Sequence, residues 1–348
     1  MPAEWERHDA TWISWPHHEP DWPGKLEAVQ WVYAEIVRVL AERERVEILC
    51  QTPALRDSAA KMLRSHGVAM QRVNLPVVTT DRVWLRDAGP SFVWNGNGEV
   101  EILAWDFTAW AKYENYSHDR KVPGAIQAAT GLPMTEPTRP DDRTKRLVLE
   151  GGGFDVNGNG RILVTEEWLL SDSQVRNAGV TRDEYERVFA HYLGCDDTIW
   201  LGNGCAGDDT HGHIDDVARF VNFDTVLLAF EQDPSDANYA SSVDNLERLR
   251  IAAERQPLNV VLLPYPRAVL MDGHRLPASY ANFYIANDVV LVPTFNDAND
   301  RIALEIIGSV FSGRQVVGVH AVDLVWGLGT LHCLTQQQPA MAIDYRGT

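Results

Sequence analysis

RVWLRDAGPSFVWNGNGEVEILAW (82–105) and RLVLEGGGFDVNGNGRILVTEE (146–167) are one plan written twice. Each starts with an acidic residue near glycines. A β-rich run follows, then an Asn-Gly-Asn-Gly turn, then a second β-rich run. Asn and Gly supply the positive φ that tight hairpin turns need, so both segments are expected to be hairpins. The plan recurs in HIDDVARFVNFDTVLLAF (213–230), with NFDT at the turn, and in SYANFYIANDVVLVPTF (279–295), with AND at the turn.

A helix and a strand follow several of these hairpins. Residues 231–256 begin with turn formers and end with helical apolar spacing at Leu246, Leu249 and Ile251, and NVVLLPYP (259–266) then reads as a strand. ANDRIALEIIGSVFSG (298–313) is helical and closed by Gly313, and QVVGVHA (315–321) is the next strand. Near the start, LEAVQWVYAEIVRVLAERE (26–44) carries an apolar stripe and RVEILCQ (45–51) follows as a strand. The unit is hairpin, helix, strand, used about five times over 348 residues, or about 70 residues each. The fifth unit is split, with ATWISWP (10–16) at one end and GTLHCLTQ (329–336) at the other. Joining the ends closes a ring. The expected fold is α/β: a five-bladed pseudosymmetric α/β propeller built from repeated hairpin–helix–strand units. Periodicity alone leaves a two-layer α/β sandwich open. No linker or composition break appears, so residues 1–348 are read as one domain.

Composition narrows the function classes. The formal net charge is −18, which argues against nucleic acid, since phosphate binding needs a basic footprint. A negative field is compatible with a cationic substrate. There is no apolar leader and no apolar run of about 18 residues, so neither a signal peptide nor a membrane span is expected, and a cytoplasmic location is. Cys50, Cys195, Cys205 and Cys333 form no CxxC pair and are expected to be free thiols.

The chemistry-bearing residues align with the repeat. The first hairpin strand carries Asp87, the second Glu150, the third His213 and Asp215, and the split unit Cys333. On a strand, the i, i+2 spacing of His213 and Asp215 would put both on one face. The three glycines after Glu150 are expected to leave room for a ligand. Taken singly, Asp87 before Gly89-Pro90 is an ordinary turn residue, and Cys333 or His213 an ordinary core residue. A structural turn has no reason to recur in register with a cysteine and a histidine. Carboxylates match the N–H fork of a guanidinium. A thiolate can attack its central carbon, and a histidine can protonate departing ammonia and then activate water. This set fits a deiminase or a related amidine hydrolase.

The stretches PAEWERHDATWISWP, WLRDAGP, LEGGGFD, GDDTHGHIDD, LPASYANFYIAN and LHCLTQQQPA resemble the agmatine deiminase family, in the guanidino-group modifying superfamily with the pentein fold. The resemblance covers nearly the whole chain. It implies Cys333 as nucleophile through a covalent amidino-thioether, His213 as general acid/base, and Asp87 and Asp215 as carboxylates that grip the guanidinium. It implies Glu150 as the acid that orients the histidine and touches substrate, and Trp84 as a wall for the aliphatic chain. Gly329 and the turn before Cys333 match the loop that presents the thiol. The implied reaction converts agmatine to N-carbamoylputrescine and ammonia with no cofactor and no metal, and the family implies a homodimer. Two loops depart from the family pattern. Gly327-Leu328-Gly329 has leucine in place of a glycine, and AWAKYENYSHD (109–119) lacks a glycine pair associated with agmatine-specific members. Both are expected to shape the pocket around the far end of the substrate. Free arginine would need a cation for its α-carboxylate, for which Arg86, Arg267 and Lys112 are available.

Other readings stay open at this stage. Asp208, Asp209, His211, His213 and Asp215 could ligate a divalent cation, which would make the chain a metal-dependent hydrolase. A propeller could serve as a binding platform without catalysis. Within the superfamily, the chain could act on free, methylated or peptidyl arginine, or transfer the amidino group to an amine.

Overall fold

A computed structural model describes residues 1–342, and residues 343–348 of the expected domain lie outside the described residues. The two NGNG turns form alike. In each, the first asparagine bends its side chain back, so that Asn95 Oδ1 accepts from the N–H of Asn97 and Glu99, and Asn157 Oδ1 from those of Asn159 and Arg161. Gly98 and Gly160 follow with φ of 79° and 88°.

The strands form five sheets of one design, besides a small hairpin at Leu270–Met271 and His274–Arg275. Each opens with an antiparallel pair and adds a parallel strand. Ser91–Trp94, Val100–Leu103 and Met134–Thr135 make one. Asp155–Val156, Arg161–Thr165 and Asp197–Leu201 make the next. Ala218–Asn222, Thr225–Phe230 and Asn259–Pro264 follow, then Tyr284–Ala286, Val289–Thr294 and Gln315–His320. The split unit closes as the sequence implies. Gln336–Pro339 pairs antiparallel with His8–Ser14, which pairs parallel with Arg45–Leu49, and this sheet alone of the five adds a fourth strand, Val73–Asn74, parallel to Arg45–Leu49. A parallel pair needs a crossover, and helices supply it: Leu26–Ala41, Val122–Thr130, Arg182–Val188, Tyr239–Arg255 and Asn299–Val310. The helix Leu26–Ala41 buries Val29, Tyr33, Ile36, Val37 and Leu40, an i, i+4, i+7 stripe facing the sheet. The fold is mixed α/β, and among the described residues no hydrogen-bonded sheet closes on itself. No described helix is long and apolar enough to cross a membrane.

The approaches to the first strands differ from expectation. Asp87 is in a helical turn, Leu85–Ala88, and Trp84 precedes that turn instead of sharing a strand with Asp87. Cys333 is in the helical turn Leu331–Leu334. His213 stands just before the turn Ile214–Asp216 and Asp215 within it, so their nearness does not come from strand alternation. Glu150 precedes a turn made of Gly151–Gly153. Each turn ends just before the first strand of a hairpin. The turn Leu85–Ala88 packs on Leu331–Leu334 and on Gly151–Gly153, which meets Ile214–Asp216. One-turn elements thus gather residues from four repeats at one place.

Candidate active site

The thiol of Cys333 is buried at the closed end of a cavity of about 270 Å³, whose walls include Trp84, Asp87 and Trp110. Its Sγ lies 3.5 Å from Asp215 Oδ2 and accepts a hydrogen bond from Asn282 Nδ2 at 3.1 Å. Burial pushes the thiol pKa well above its ordinary value, and the charges of Asp215, Asp216 and Asp87 push it further. A cation beside the sulfur would reverse the electrostatic part of that shift.

His213 stands between two carboxylates, with Nδ1 3.7 Å from Asp87 Oδ1 and Nε2 3.7 Å from Glu150 Oε2. These are ion-pair contacts, too long for hydrogen bonds, and both buried ring nitrogens lack a hydrogen-bond partner among the described residues. Burial alone would lower the imidazole pKa, but the charge of Asp87 and then Glu150 raise it to about 9. The ring packs edge-on against Trp168.

The carboxylates differ in character. Glu150 is fixed on both oxygens, by Trp168 Nε1 at 2.7 Å and Arg176 Nε at 3.1 Å. Burial works against its charge, yet Arg176 and His213 hold its pKa down at about 2. Asp87 accepts from the Gly152 N–H and from Trp110 Nε1, both at 2.9 Å. Burial raises its pKa to about 6 against the pull of His213, with Asp215 and Glu150 adding to the rise. Asp215 Oδ2 is bound by His332 Nδ1 at 2.8 Å, while its Oδ1 is buried with no partner among the described residues. Burial opposes its ionisation, and His332 keeps its pKa low. A carboxylate with one oxygen near the sulfur and the other lacking a donor is a place for an N–H donor.

The glycines after Glu150 do not leave room for a ligand, contrary to the sequence reading. A Cβ on Gly152 would meet His213 Nδ1 at 2.7 Å, Asp87 Oδ1 at 2.9 Å and Asp215 Oδ2 at 3.1 Å. One on Gly153 would strike Trp168 at 2.4 Å, and one on Gly151 the Arg86 carbonyl oxygen at 2.4 Å. These glycines let the site side chains converge on the backbone.

The sequence-selected cluster Asp208, Asp209, His211, His213 and Asp215 is dispersed, and among the described residues no three His, Cys, Asp or Glu side chains form a metal-holding group. Asp208 caps the N–H groups of Thr210, Gly212 and His213. Asp209 pairs with Lys112 and Tyr113, and His211 meets Ser171. The proposed carboxylate-binding cations also go elsewhere. Arg86 is buried against Glu4, Gln337 and the His332 carbonyl. Arg267 is exposed against Asp297, and Lys112 is taken by Asp209. The four cysteines are free and buried, as expected.

Towards its mouth the cavity meets Asp21, Arg82, Tyr113 and Asp209. Asp21 Oδ1 is 3.5 Å from Arg82 Nε, while Oδ2 is buried with no partner among the described residues. Burial raises the Asp21 pKa to about 6 against the pull of Arg82. Arg82 also donates to Asn115 and stacks 4.1 Å over the ring of Tyr113. Both loops that depart from the family pattern reach this cavity, through Trp110 and Leu328. Each has a left-handed backbone, with φ of 58° and 68°, at a cost on the order of 1 kcal/mol per non-glycine residue. A larger outer groove of about 1000 Å³, lined by Arg45, Glu99 and Gln338 among others, contains none of the site residues.

The sequence reading missed Asn282, His332, Trp110, Asp21 and Arg82. Asn282 carried a signal, since it stands at the repeat position that supplies Cys333, Asp87 and Asp215 elsewhere. His332 adjoins Cys333, and Asp21 carried no signal.

A cysteine and an aspartate on the wall of a narrow cavity, backed by a buried histidine and further carboxylates, are the equipment of a guanidine-modifying enzyme. The chain belongs to the family described as Porphyromonas-type peptidyl-arginine deiminase, which it matches over residues 1–339. It is 34% identical to the agmatine deiminase of Ectopseudomonas mendocina over 366 aligned positions, covering 98% of this chain and 95% of that one. Among solved structures, it resembles the agmatine deiminase of Enterococcus faecalis with a TM-score of 0.89 at 29% identity, over 98% of this chain and 96% of the other. A Cys→Ser variant of C. jejuni agmatine deiminase with substrate bound aligns with a TM-score of 0.85 at 26% identity, over the same shares of the two chains.

Proposed function

We propose that this chain is an agmatine deiminase, hydrolysing the guanidinium of agmatine to N-carbamoylputrescine and ammonia. The observation that carries the reading is the Asp215 carboxylate, with Oδ2 3.5 Å from the Cys333 sulfur and Oδ1 without a partner among the described residues, while Asp87 and His213 converge on the same glycine. Full-length similarity to agmatine deiminases supports it.

Asp87 and Asp215 grip the guanidinium and set its carbon opposite Sγ, with Trp84 against the aliphatic chain. As the cation enters, the thiol loses its proton to solvent, and Sγ bonds to the guanidinium carbon. The His213 imidazolium, oriented by Glu150, passes a proton to one NH₂ group, the C–N bond breaks, and ammonia leaves. This gives a cationic amidino-thioether and a neutral His213. Water then adds to the same carbon while giving a proton to His213. The C–S bond breaks with its electron pair returning to sulfur, and the ureido product leaves after losing one proton. Cys333 regains a proton and the cycle closes. No cofactor enters these steps.

For the tail of the substrate, the cavity mouth offers Asp21 with an unpartnered oxygen, and its cations are already engaged. That favours a cationic tail, as in agmatine. A second reading, free arginine, rests on Arg82 lining the same cavity. Five sheets of one design, with the N- and C-terminal strands paired, support a five-bladed pentein propeller and a single catalytic domain over 1–348. We further propose a cytoplasmic location and a homodimer, both resting on the family resemblance.

The test is release of ammonia and ureido product from agmatine, free arginine and a peptidyl arginine in parallel, with EDTA present. Turnover of agmatine, lost in Cys333→Ala, is the expected result. Turnover of arginine alone, or activity surviving in Cys333→Ala, would overturn the reading.

A further inference from the structure

Four of the five repeats deliver chemistry from the residues just before their first strand. The remaining repeat begins at Tyr284–Ala286, and its approach is the turn Ser279 to Asn282, closed by the Asn282 N–H on the Ser279 carbonyl. Asn282 is fully buried, and its amide reaches Cys333.

The orientation of that amide is determined by its surroundings. Oδ1 accepts from Thr330 Oγ1 at 2.7 Å, from the His332 N–H at 3.0 Å and from the Cys333 N–H at 3.4 Å. A flipped amide would set its NH₂ against three donors, so the flip is excluded. The NH₂ is left with two hydrogens and two acceptors, Asp216 Oδ1 and Cys333 Sγ, both at 3.1 Å. Among the described residues, Asn282 is the one side chain that directs an N–H at this sulfur; the Thr330 backbone also favours its charge, and Asp215 Oδ2 lies 3.5 Å away.

We propose that Asn282 is a catalytic residue: its amide N–H stabilises the Cys333 thiolate, while its carbonyl fixes the turn that presents the sulfur. The proposal deepens the cysteine-nucleophile reading and rests on it. The charges of Asp215, Asp216 and Asp87 all oppose ionisation of this thiol. The incoming guanidinium offsets that when substrate is bound. The Asn282 N–H is present before substrate and again when the C–S bond breaks, when charge returns to sulfur. A hydrogen bond to a charged acceptor is about twice as strong as one to a neutral one, so the contact favours the ionised state. The second N–H, on Asp216, keeps the amide from rotating away.

The test reads the thiol without substrate. Full-length protein is alkylated with iodoacetamide across pH 6 to 11, and Cys333 labelling is followed by peptide mass, with Cys333→Ala as blank. Asn282→Leu keeps most of the volume and removes the N–H donor and the oxygen without adding a charge. Asn282→Ala removes both as well. The expected result is a labelling midpoint raised by about one pH unit in either variant, which is tenfold in the ionisation constant. Turnover of agmatine should fall at least tenfold in kcat, with KM changed by less than threefold. If Asn282→Ala unfolds, Asn282→Leu decides alone, its folding checked by thermal melting. An unshifted midpoint in a folded Asn282→Leu overturns the proposal. Because labelling needs no substrate, a shifted midpoint in a chain that turns over no guanidine would support the role of Asn282 and count against the deiminase reading instead.

Discussion

His332 Nδ1 stands 2.8 Å from Asp215 Oδ2, which ties the carboxylate beside the Cys333 sulfur to the residue that precedes that sulfur in the chain. The other ring nitrogen of His332, Nε2, is 2.8 Å from Glu4 Oε2. Glu4 also meets Arg219 and Arg86. The N-terminal segment thus reaches the site through one imidazole.

Replacing His332 by alanine leaves the buried carboxylates of Asp215 and Glu4 without that partner. Breaking a buried charged network in this way costs about 3 kcal/mol. His332→Ala is expected to melt well below the wild type and to lose at least tenfold in kcat, because Asp215 is no longer held. Thermal melting and steady-state rates check this, and an unchanged melting temperature would show that the contact adds nothing.

Activity should follow a bell against pH. Asp87 must be ionised to hold a cation, and its pKa of about 6 sets the acid limb of kcat/KM. His213 must be protonated to release ammonia, and its pKa of about 9 sets the alkaline limb. Stability has a definite sign as well. Both groups bind their proton more tightly when folded, so each contributes stability at low pH that is lost as pH rises. For Asp87 the loss spans 3.8 to about 6. For His213 it spans 6.5 to about 9. Denaturant titrations at pH 6.5 and pH 9.5 should therefore give a larger stability drop in wild type than in His213→Gln.

Gly152→Ala tests the convergence of the site directly. Its Cβ would press within 2.7 Å of His213 Nδ1 and 2.9 Å of Asp87 Oδ1, closer than real Cβ contacts allow, and would crowd Asp215 Oδ2 at 3.1 Å. The site groups must shift, and a misplacement of about 1 Å costs on the order of 100-fold. The expected result is that loss in kcat/KM. Gly96→Ala, where a Cβ meets nothing within 4 Å, serves as control and should retain full activity.

What could be read from the sequence follows from the length of each signal. The NGNG turns and the helices of 12 to 17 residues at Leu26–Ala41, Tyr239–Arg255 and Asn299–Val310 announce themselves by turn chemistry and by period. Turns as short as Leu85–Ala88 and Leu331–Leu334 complete only one period, so their residues read as strand continuations. Cys333, His213, Asp87, Asp215 and Glu150 could still be picked out, because their position in the repeat survives a wrong assignment of the local backbone. Asn282 is harder to read for a chemical reason: an uncharged amide between Ala281 and Phe283 has the composition of an ordinary turn residue. Contacts such as Glu4 to His332 join residues more than 300 apart and leave no trace in local pattern.

The tail of the substrate should be decided at Asp21. Its Oδ2 is buried with no partner among the described residues, and it shares the cavity with Cys333. A distal ammonium would satisfy that oxygen, whereas an α-carboxylate would be repelled by it and drawn to Arg82. Asp21→Asn removes the charge and keeps the shape. With agmatine, KM is expected to rise at least tenfold while kcat stays within threefold, because Asp21 does not touch the reacting carbon. The effect should fade below pH 6, where Asp21 in the wild type is already protonated, its pKa being about 6. Arginine provides the contrast. If the mutation improves arginine and leaves agmatine unchanged, Arg82 is the residue that reads the tail, and the preferred substrate is the amino acid.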